Sequence, residues 1–282
     1  MTTAPSMSSG QEKSEQGFTM IELLVDIAII AILAAMLLSA LDRAKEKSQI
    51  TKCLNNLRQI GVGLCLYTDD NNNTFPPRDN QQFNPAANPS VNYALSLGGK
   101  DPAPAFYLQN NAGWGVQKAT DRLLYPYVPN CEAFHCPADK GQNFEPGTLF
   151  NGSAPFQPSN YESLGCSYRF NAYLWAGTLR AAADTNYNLA GKKVSWPPNP
   201  SLFIMMHEPP AMAYDDYFFH WHYARGSTTL TIDRLKQDTL KFISPILFVD
   251  GHFSQQDFTR AIKTYPNYPL EPTANWIWYK PR

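Results

Sequence analysis

The stretch that decides the fold is "EQGFTMIELLVDIAIIAILAAMLLSAL", residues 15–41. Residues 20–41 span 22 positions, close to the ~20 that cross a bilayer as a helix. Two carboxylates, Glu22 and Asp26, nevertheless lie one helical turn apart at the start of this apolar run. A plain anchor has no use for them, because an Asp at the centre of a membrane helix costs about 2.5–3.5 kcal/mol on insertion. The segment is therefore predicted to be a membrane helix that has a function besides anchoring the protein.

The residues around Phe18 indicate what that task is. In "GFTMIELLVDIAIIAIL" a Gly and a Phe precede a Glu at the opening of an apolar helix. This pattern resembles the N-terminus of type IV pilin-like proteins, the pilins and the pseudopilins of type II secretion. The resemblance implies that a membrane prepilin peptidase cleaves between Gly17 and Phe18 on the cytoplasmic face. It also implies that the new Phe18 amine is methylated and that residues 1–17 are a leader peptide.

Phe18, Glu22 and Asp26 are the candidate assembly residues. Cleavage after Gly17 would create an ammonium at Phe18, on the same helical face as Glu22 four residues later. Because an unpaired charge is costly in hydrocarbon, we expect Glu22 to pair with the Phe18 amine of a neighbouring subunit and to set its register. Asp26 lies about 12 Å along the helix from Phe18. That is too far for the same amine, so Asp26 is expected to find a hydrogen-bond partner only on assembly.

The helix is predicted to continue beyond the membrane to Asp70. Apolar residues recur there at spacings of three and four: Ile50, Leu54, Leu57, Ile60, Leu64 and Tyr67. The opposite face is polar: Lys47, Thr51, Lys52, Asn55, Arg58 and Gln59. This pattern is typical of an amphipathic helix with one face on a core. The run "DDNNNTFPP" (residues 69–77) ends it, because Asp and Asn compete for backbone groups and proline cannot continue a helix.

The rest of the chain has the composition of a globular head. Of 37 aromatic residues, only two precede Thr74. "CSYRFNAYL" and "SLFIMMHE" read as strands, and "PILFVDGHFSQQDF" reads as a hairpin about Asp250-Gly251. The predicted fold class is α+β: a long N-terminal helix, transmembrane and then amphipathic, packed on an antiparallel β-sheet head with long loops. The predicted divisions are a leader peptide at 1–17, a transmembrane assembly helix at 18–41, its amphipathic continuation at 42–73 and an extracytoplasmic head at 74–282.

Two further segments extend the resemblance along the chain. "FHCPADK" lies at residues 134–140, and "ILFVDGHFS" with its Asp-Gly-His lies at residues 246–254. They resemble the large pilin-like proteins of planctomycete and verrucomicrobial bacteria, which have a mid-chain Cys-Pro and a late Asp-Gly-His motif.

Imidazoles and carboxylates collect late in the chain, and such groups are ligands of Zn²⁺ and other transition metals. The candidate metal ligands are His207, Glu208, His222, Asp250 and His252. The alternative is structural. Asp250 is explained by the hairpin turn, and His222 lies among aromatic residues that are typical of a half-buried ladder. No cofactor is expected unless these groups hold a divalent metal.

The five cysteines are an odd number, so they cannot all pair within one chain. Cys131 and Cys136 are close in sequence, and a small-loop disulfide between them is the ordinary interpretation for an exported head. A zinc site that also uses His135 is the alternative. The sequence does not decide whether Cys166 pairs with Cys65 or binds a metal.

The sequence contains no G-x-S-x-G, H-E-x-x-H or phosphate-binding glycine loop, so no enzymatic activity is expected. With a net charge of −1, no nucleic-acid partner is expected either. The resemblance implies a structural subunit of a type IV pilus or a type II secretion pseudopilus, in the inner membrane with a single span, its N-terminus cytoplasmic and its head periplasmic. The implied partners are other pilin-like subunits, the prepilin peptidase, an inner-membrane assembly complex and membrane lipid. The alternatives are a membrane-tethered polysaccharide-binding module and a metal-dependent enzyme.

Overall fold

The structure is a computed structural model of the 282-residue chain. It describes residues 19–77, 93, 95–104, 116–141, 158–172, 188–212, 221–222, 241–264 and 272–280. The chain divides into two compact units, Met1–Lys45 and Glu46–Arg282. The four divisions predicted from the sequence are finer than these units and stay predictions. The predicted long loops are tested only in part, because residues 78–92, 105–115 and 142–157 lie outside the described residues.

Helix α1 covers Met20–Asp70 and ends at the residue predicted from the sequence. Asn72 and Asn73, which follow it, have left-handed backbone conformations with φ of 55° and 53°. Asn adopts this conformation more readily than most residues, which is why the run of asparagines stops the helix. In the first unit α1 contains an 18-residue window with mean hydropathy 2.7, none of it buried. By length and composition this helix can cross a membrane.

In the second unit the remainder of α1 is amphipathic, as predicted. Its buried residues are Ile50, Cys53, Asn56, Leu57, Ile60, Gly61, Gly63, Leu64, Tyr67 and Thr68. The predicted polar face is exposed throughout, while Leu54 is only half-buried. The core-facing stripe thus includes Cys53 and Asn56, two residues that apolar spacing alone does not select. Gly61 and Gly63 also face the core, where they allow close approach of neighbouring side chains.

Four antiparallel strands form one sheet in the order β1-β2-β3-β4, which confirms the predicted α+β class. They are β1 Arg169–Phe170, β2 Ile204–His207, β3 Ile243–Phe248 and β4 Phe253–Asp257. The hairpin between β3 and β4 turns at Asp250-Gly251, where Gly251 has a φ of 89° that favours glycine. All four residues of the central strand β2 are buried, whereas β4 alternates between exposed and half-buried residues as an edge strand does.

The main core lies between the second half of α1 and the sheet. Leu57, Ile60 and Leu64 of the helix belong to one buried cluster with Met205 and Leu247 of the sheet region. The described residues also contain two short α-helices, α2 at Asn160–Leu164 and α3 at Thr259–Thr264, and 3₁₀ helices at Ala119–Asp121, Cys131–Phe134 and Pro209–Met212. Near the C-terminus a parallel bridge joins Ile277 to Phe203 beside β2. The helix-to-sheet packing places Cys53 in the interior, and that placement builds the site described below.

Two charged side chains, the buried Arg122 and the half-buried Asp139, hold the irregular segments together. Arg122 donates hydrogen bonds to the backbone carbonyls of Gly98 (2.6 Å), Leu164 (2.8 Å) and Gln117 (3.1 Å). Its guanidinium therefore joins three segments that are distant in sequence.

The Asp139 carboxylate plays a similar part at the start of α2. It accepts from the backbone amides of Asn160 (3.0 Å) and Tyr161 (2.9 Å), from the amide of Gly141 (2.9 Å) and from the hydroxyl of Ser167 (2.7 Å). A carboxylate near a helix N-terminus satisfies amides that have no partner within the helix.

Candidate functional site

Four buried side chains of the second unit meet inside the head: Cys53, Cys136, Glu208 and His222. Each offers one ligand atom, and these atoms all lie within 4.8 Å of one another. The Cys53 and Cys136 sulfurs are 3.1 Å apart, and the Cys136 sulfur lies 3.6 Å from His222 Nε2. His222 Nε2 lies 2.9 Å from a Glu208 carboxylate oxygen. Two sulfurs, a nitrogen and a carboxylate thus converge on one point.

Each member comes from a different part of the fold. Cys53 lies on the core face of α1, and Glu208 directly follows β2. Cys136 follows a 3₁₀ helix at Cys131–Phe134, whose N-terminus is capped by Asn130. The backbone of His222 has a φ of 58°, in the left-handed region where a residue other than glycine or Asn is uncommon. Such backbone strain persists only where surrounding contacts enforce it, and it is frequent at functional sites.

Polar groups lie around the two sulfurs. The Ala138 backbone amide donates to Cys136 Sγ at 3.4 Å. The Tyr168 hydroxyl accepts from the Asn56 side-chain amide at 3.2 Å; burial raises the pKa of Tyr168, and the neighbouring Cys53 raises it further. Hydrogen bonds of this kind fix the direction of a ligand atom and stabilise a thiolate.

Three buried polar atoms of the cluster lack a well-aligned hydrogen-bond partner in the described structure. Both Glu208 carboxylate oxygens and His222 Nδ1 are buried without an aligned hydrogen bond in the described structure. Glu208 and His222 are at the distance of an ion pair, but the His222 ring N–H does not point along a hydrogen bond to the carboxylate. A buried carboxylate in this condition is costly, because it has lost water without gaining a full set of partners.

Burial and charge act on the protons of the cluster. Burial raises the pKa of the Cys136 thiol well above its ordinary value, and the contacts with Cys53 and the Glu208 charge raise it further. Burial by itself lowers the pKa of His222, but the adjacent Glu208 carboxylate and the contact with Cys53 raise that pKa to about 10. The cluster therefore pairs the buried Glu208 carboxylate with the His222 imidazolium, beside a neutral Cys136 thiol.

Of the five metal ligands predicted from the sequence, the structure brings together only Glu208 and His222. His207, the last residue of β2, is buried against Trp278, and the two ring centroids are 4.9 Å apart. The His207 Nδ1 atom lies 2.9 Å from the Glu208 backbone carbonyl. Burial lowers the pKa of His207 to about 3, so it is neutral. The two ligands of the hairpin, Asp250 and His252, pair with each other at 2.6 Å on the exposed turn. Strand alternation and turn geometry thus separate these three from the cluster.

The predicted Cys131–Cys136 disulfide is wrong in this structure, where both cysteines are free. The 3₁₀ helix between them directs the two sulfurs apart: Cys131 contacts the Tyr161 hydroxyl, while Cys136 lies beside Cys53. His135, the alternative zinc ligand, stacks on the Tyr161 ring at 4.2 Å.

The open question about Cys166 is answered by its surroundings. Its buried sulfur donates to the Tyr168 carbonyl at 3.1 Å, and Cys65 is an exposed residue of α1. Sequence reasoning missed Cys53 and Cys136 as partners. A signal was present for Cys53, since it lies beside the apolar stripe of α1.

The N-terminal motif is described from Thr19 onward, and Gly17 and Phe18 lie outside the described residues. The Glu22 carboxylate accepts from the Thr19 backbone amide at 2.9 Å and from its hydroxyl at 2.7 Å. The Glu22 amide in turn approaches the Thr19 hydroxyl at 3.2 Å. This reciprocal pair is a capping box, and the Thr-x-x-Glu spacing in the sequence is its signature. Glu22 therefore has a local role at the start of α1 that the sequence reasoning missed.

Within the described residues, few large aromatic side chains are exposed enough to stack on a sugar. Among the described residues, the large aromatic side chains with the greatest exposure are Tyr125 and Phe253, at 38% and 37%. Of the described tryptophans, Trp221, Trp276 and Trp278 are buried, and Trp196 is half-buried. Core packing accounts for these aromatics.

Comparison with known proteins gives one match. The family model for the prokaryotic N-terminal methylation motif matches residues 13–38. No curated protein and no solved structure matches the chain. The matched segment contains Gly17 and Phe18, the Thr19–Glu22 capping box and most of the apolar run. This motif opens a helix long and apolar enough to cross a membrane, and an α+β head follows it. The N-terminus is therefore of the prepilin type and fits a membrane-anchored protein, and the match supports a likeness to the type IV pilin-like and pseudopilin family.

Proposed function

We propose that this protein is a structural subunit of a type IV pilus or a type II secretion pseudopilus. The observation that carries the proposal is the methylation motif at residues 13–38, placed on a helix whose apolar residues are exposed. Ile30 and Leu37 are 63% and 70% exposed. Lipid covers such a surface before assembly, and neighbouring subunits cover it in a filament. The role is structural rather than catalytic.

Processing comes first in this proposal. The prepilin peptidase removes residues 1–17 at the cytoplasmic face and leaves Phe18 as a methylated N-terminus. The apolar helix stays in the inner membrane, and the head lies in the periplasm. An assembly complex of the inner membrane then transfers the subunit into a polymer with other pilin-like subunits.

The mature N-terminus tests the processing step. Mass spectrometry of protein extracted from membranes is expected to find a chain that begins with N-methylated Phe18. A chain that retains residues 1–17, or one cleaved after Ala40, would remove the basis of the proposal. Gly17→Ile is expected to block processing while the uncleaved protein still inserts, since the apolar run is intact.

Orientation is tested at Cys65, the exposed cysteine of α1. A membrane-impermeant maleimide added to spheroplasts is expected to label Cys65 in the wild type but not in Cys65→Ser. Labelling that requires lysis would place the head in the cytoplasm and contradict the proposed topology.

The role of Glu22 is tested by separating its charge from its cap. Glu22→Val removes both the cap and the charge, whereas Glu22→Gln keeps an acceptor for the Thr19 amide. The proposal expects both variants to be cleaved and neither to enter filaments, because only a carboxylate pairs with a neighbour's Phe18 ammonium. Normal assembly of Glu22→Gln would instead assign Glu22 to capping alone, worth about 0.5–2 kcal/mol of helix stability.

A further inference from the structure

We propose that Cys53, Cys136, Glu208 and His222 bind one Zn²⁺ ion, which joins the second half of α1 to the end of β2 and to the segment around His222. This inference is independent of filament formation, because all four residues belong to the second unit, Glu46–Arg282. It also differs from the site predicted from the sequence, which contained neither cysteine.

The first argument is the number and kind of donors. Two cysteine sulfurs, an imidazole nitrogen and a carboxylate oxygen make four ligands, the number a structural zinc site uses. Thiolates and imidazole select zinc and other borderline or soft metals over Mg²⁺ and Ca²⁺, which prefer oxygen. Zn²⁺ is redox-inactive and tetrahedral in structural sites, so zinc is the metal that we propose.

The second argument is distance. Zinc bond lengths of about 2.3 Å to sulfur and about 2.1 Å to nitrogen or oxygen give tetrahedral edges of about 3.8 Å for S–S, about 3.6 Å for S–N and about 3.4 Å for N–O. The Cys136–His222 edge is 3.6 Å and already fits. The Cys53–Cys136 and His222–Glu208 edges, at 3.1 and 2.9 Å, need to widen by about 0.5–0.7 Å. Small rotations about side-chain bonds supply such a change.

The third argument is the state of the donor atoms. Glu208 is fully buried, and both its oxygens lie without an aligned hydrogen bond in the described structure. The His222 ring lies at ion-pair distance from this carboxylate, and a metal ion would add a direct bond to it. On binding, the two thiols and the His222 imidazolium release three protons to solvent, and two thiolates, one carboxylate and a neutral imidazole then surround two positive charges.

The fourth argument is the outer shell. The Ala138 amide donates to the Cys136 sulfur at 3.4 Å, and the Tyr168 hydroxyl near Cys53 is held by the Asn56 side-chain amide at 3.2 Å. Metal-binding side chains are ordinarily held by such outer contacts.

The competing chemistry is a Cys53–Cys136 disulfide, formed by loss of two electrons and two protons to an oxidant of the exported compartment. The sulfurs at 3.1 Å would have to close to about 2.05 Å. Such a bond would remove two of the four zinc ligands and leave Glu208 buried without a metal partner. The two outcomes therefore exclude each other in one molecule.

The test measures metal in the full-length protein purified in detergent without chelator. Elemental mass spectrometry of the acid-digested wild-type protein is expected to find about one zinc per chain. Cys136→Ser and His222→Ala are expected to lose it. Cys166→Ser is the matched control, because Cys166 is also buried but lies outside the cluster, and it should retain the zinc.

A second measurement uses only the wild type and so does not depend on whether a variant folds. After removal of zinc and addition of Co²⁺, the protein is expected to show sulfur-to-cobalt charge transfer and the intense visible bands of tetrahedral Co²⁺. Zinc is also expected to protect Cys53 and Cys136 from alkylation, with exposed Cys65 as the reactive reference.

Three results would overturn the proposal. The first is wild-type protein without transition metal, in which a peptide map links Cys53 to Cys136. The second is a zinc content that is unchanged in both Cys136→Ser and His222→Ala. The third is a cobalt derivative without sulfur charge transfer. Failure of the N-terminus to mature at Phe18 would refute the pilin-like function and leave this site unaffected.

Discussion

Helix α1 contains two core-facing glycines, Gly61 and Gly63. Their surroundings predict that an added methyl group is tolerated at Gly61 but not at Gly63. A Cβ added at Gly63 would lie 2.2 Å from Val128 Cγ2, whereas one added at Gly61 would lie 3.1 Å from Leu247 Cδ1. Carbon atoms pack at about 3.5–4.0 Å, so Gly63→Ala requires Val128 to withdraw by about 1.5 Å. Gly61→Ala requires only a few tenths of an ångström from the end of a flexible side chain.

The net effect is the difference between overpacking and helix propensity. Replacing a mid-helix glycine by alanine stabilises a helix by about 1 kcal/mol. Overpacking a buried contact costs about 1–3 kcal/mol, and the overlap at Val128 belongs at the upper end of that range. Gly63→Ala is therefore expected to lower the free energy of unfolding by about 1–2 kcal/mol. For Gly61→Ala the two terms nearly cancel, and we expect a change within about 0.5 kcal/mol.

Thermal unfolding of the full-length protein in detergent, followed by tryptophan fluorescence, measures the difference. Gly63→Ala is expected to lower Tm by about 4 °C, since 1 kcal/mol corresponds to about 2–4 °C for a unit of this size. The double variant Gly63→Ala/Val128→Ala should be more stable than the sum of its single changes predicts, because the clashing methyl is gone. If Gly63→Ala unfolds at or above the wild-type temperature, or shows no coupling to Val128, the packing argument is refuted.

Three further predictions concern single side chains. Arg122→Lys is expected to lower the free energy of unfolding by about 3 kcal/mol, because one ammonium cannot reach three carbonyls held by a guanidinium fork; denaturant unfolding measures it. Asp139→Asn is expected to lower the free energy of unfolding by about 2 kcal/mol, because an amide has one acceptor oxygen where the carboxylate has two. The control is the exposed Asp101, which accepts one backbone hydrogen bond, from Ala119. Asp101→Asn should cost less than half as much in the same assay. Asp26→Val is expected to leave both cleavage and assembly intact, which immunoblotting of sheared filaments checks; a block at assembly in this variant, with Glu22→Val assembling normally, would reverse the roles of the two acids.

Elements made by local interactions could be predicted from the sequence. The end of α1 at Asp70 follows from a run of Asp, Asn and Pro that cannot continue a helix. The hairpin of β3 and β4 follows from Asp250-Gly251 between alternating segments. Each of these signals lies within a few residues of the structure it determines. The Thr19–Glu22 capping box is of the same kind, and its three-residue spacing was readable.

The sequence by itself thus determined the prepilin-type N-terminus, the long helix and the α+β class of the head. Only the tertiary structure decided which cysteines meet. Cys53 and Cys136 are 83 positions apart, and Cys136 and His222 are 86 apart. Proximity in sequence favoured Cys131 for Cys136, but the backbone of the intervening 3₁₀ helix turns the two sulfurs toward different neighbours. A cluster of side chains from a helix, a strand end and two loops has no local pattern, because its geometry exists only when the core has packed.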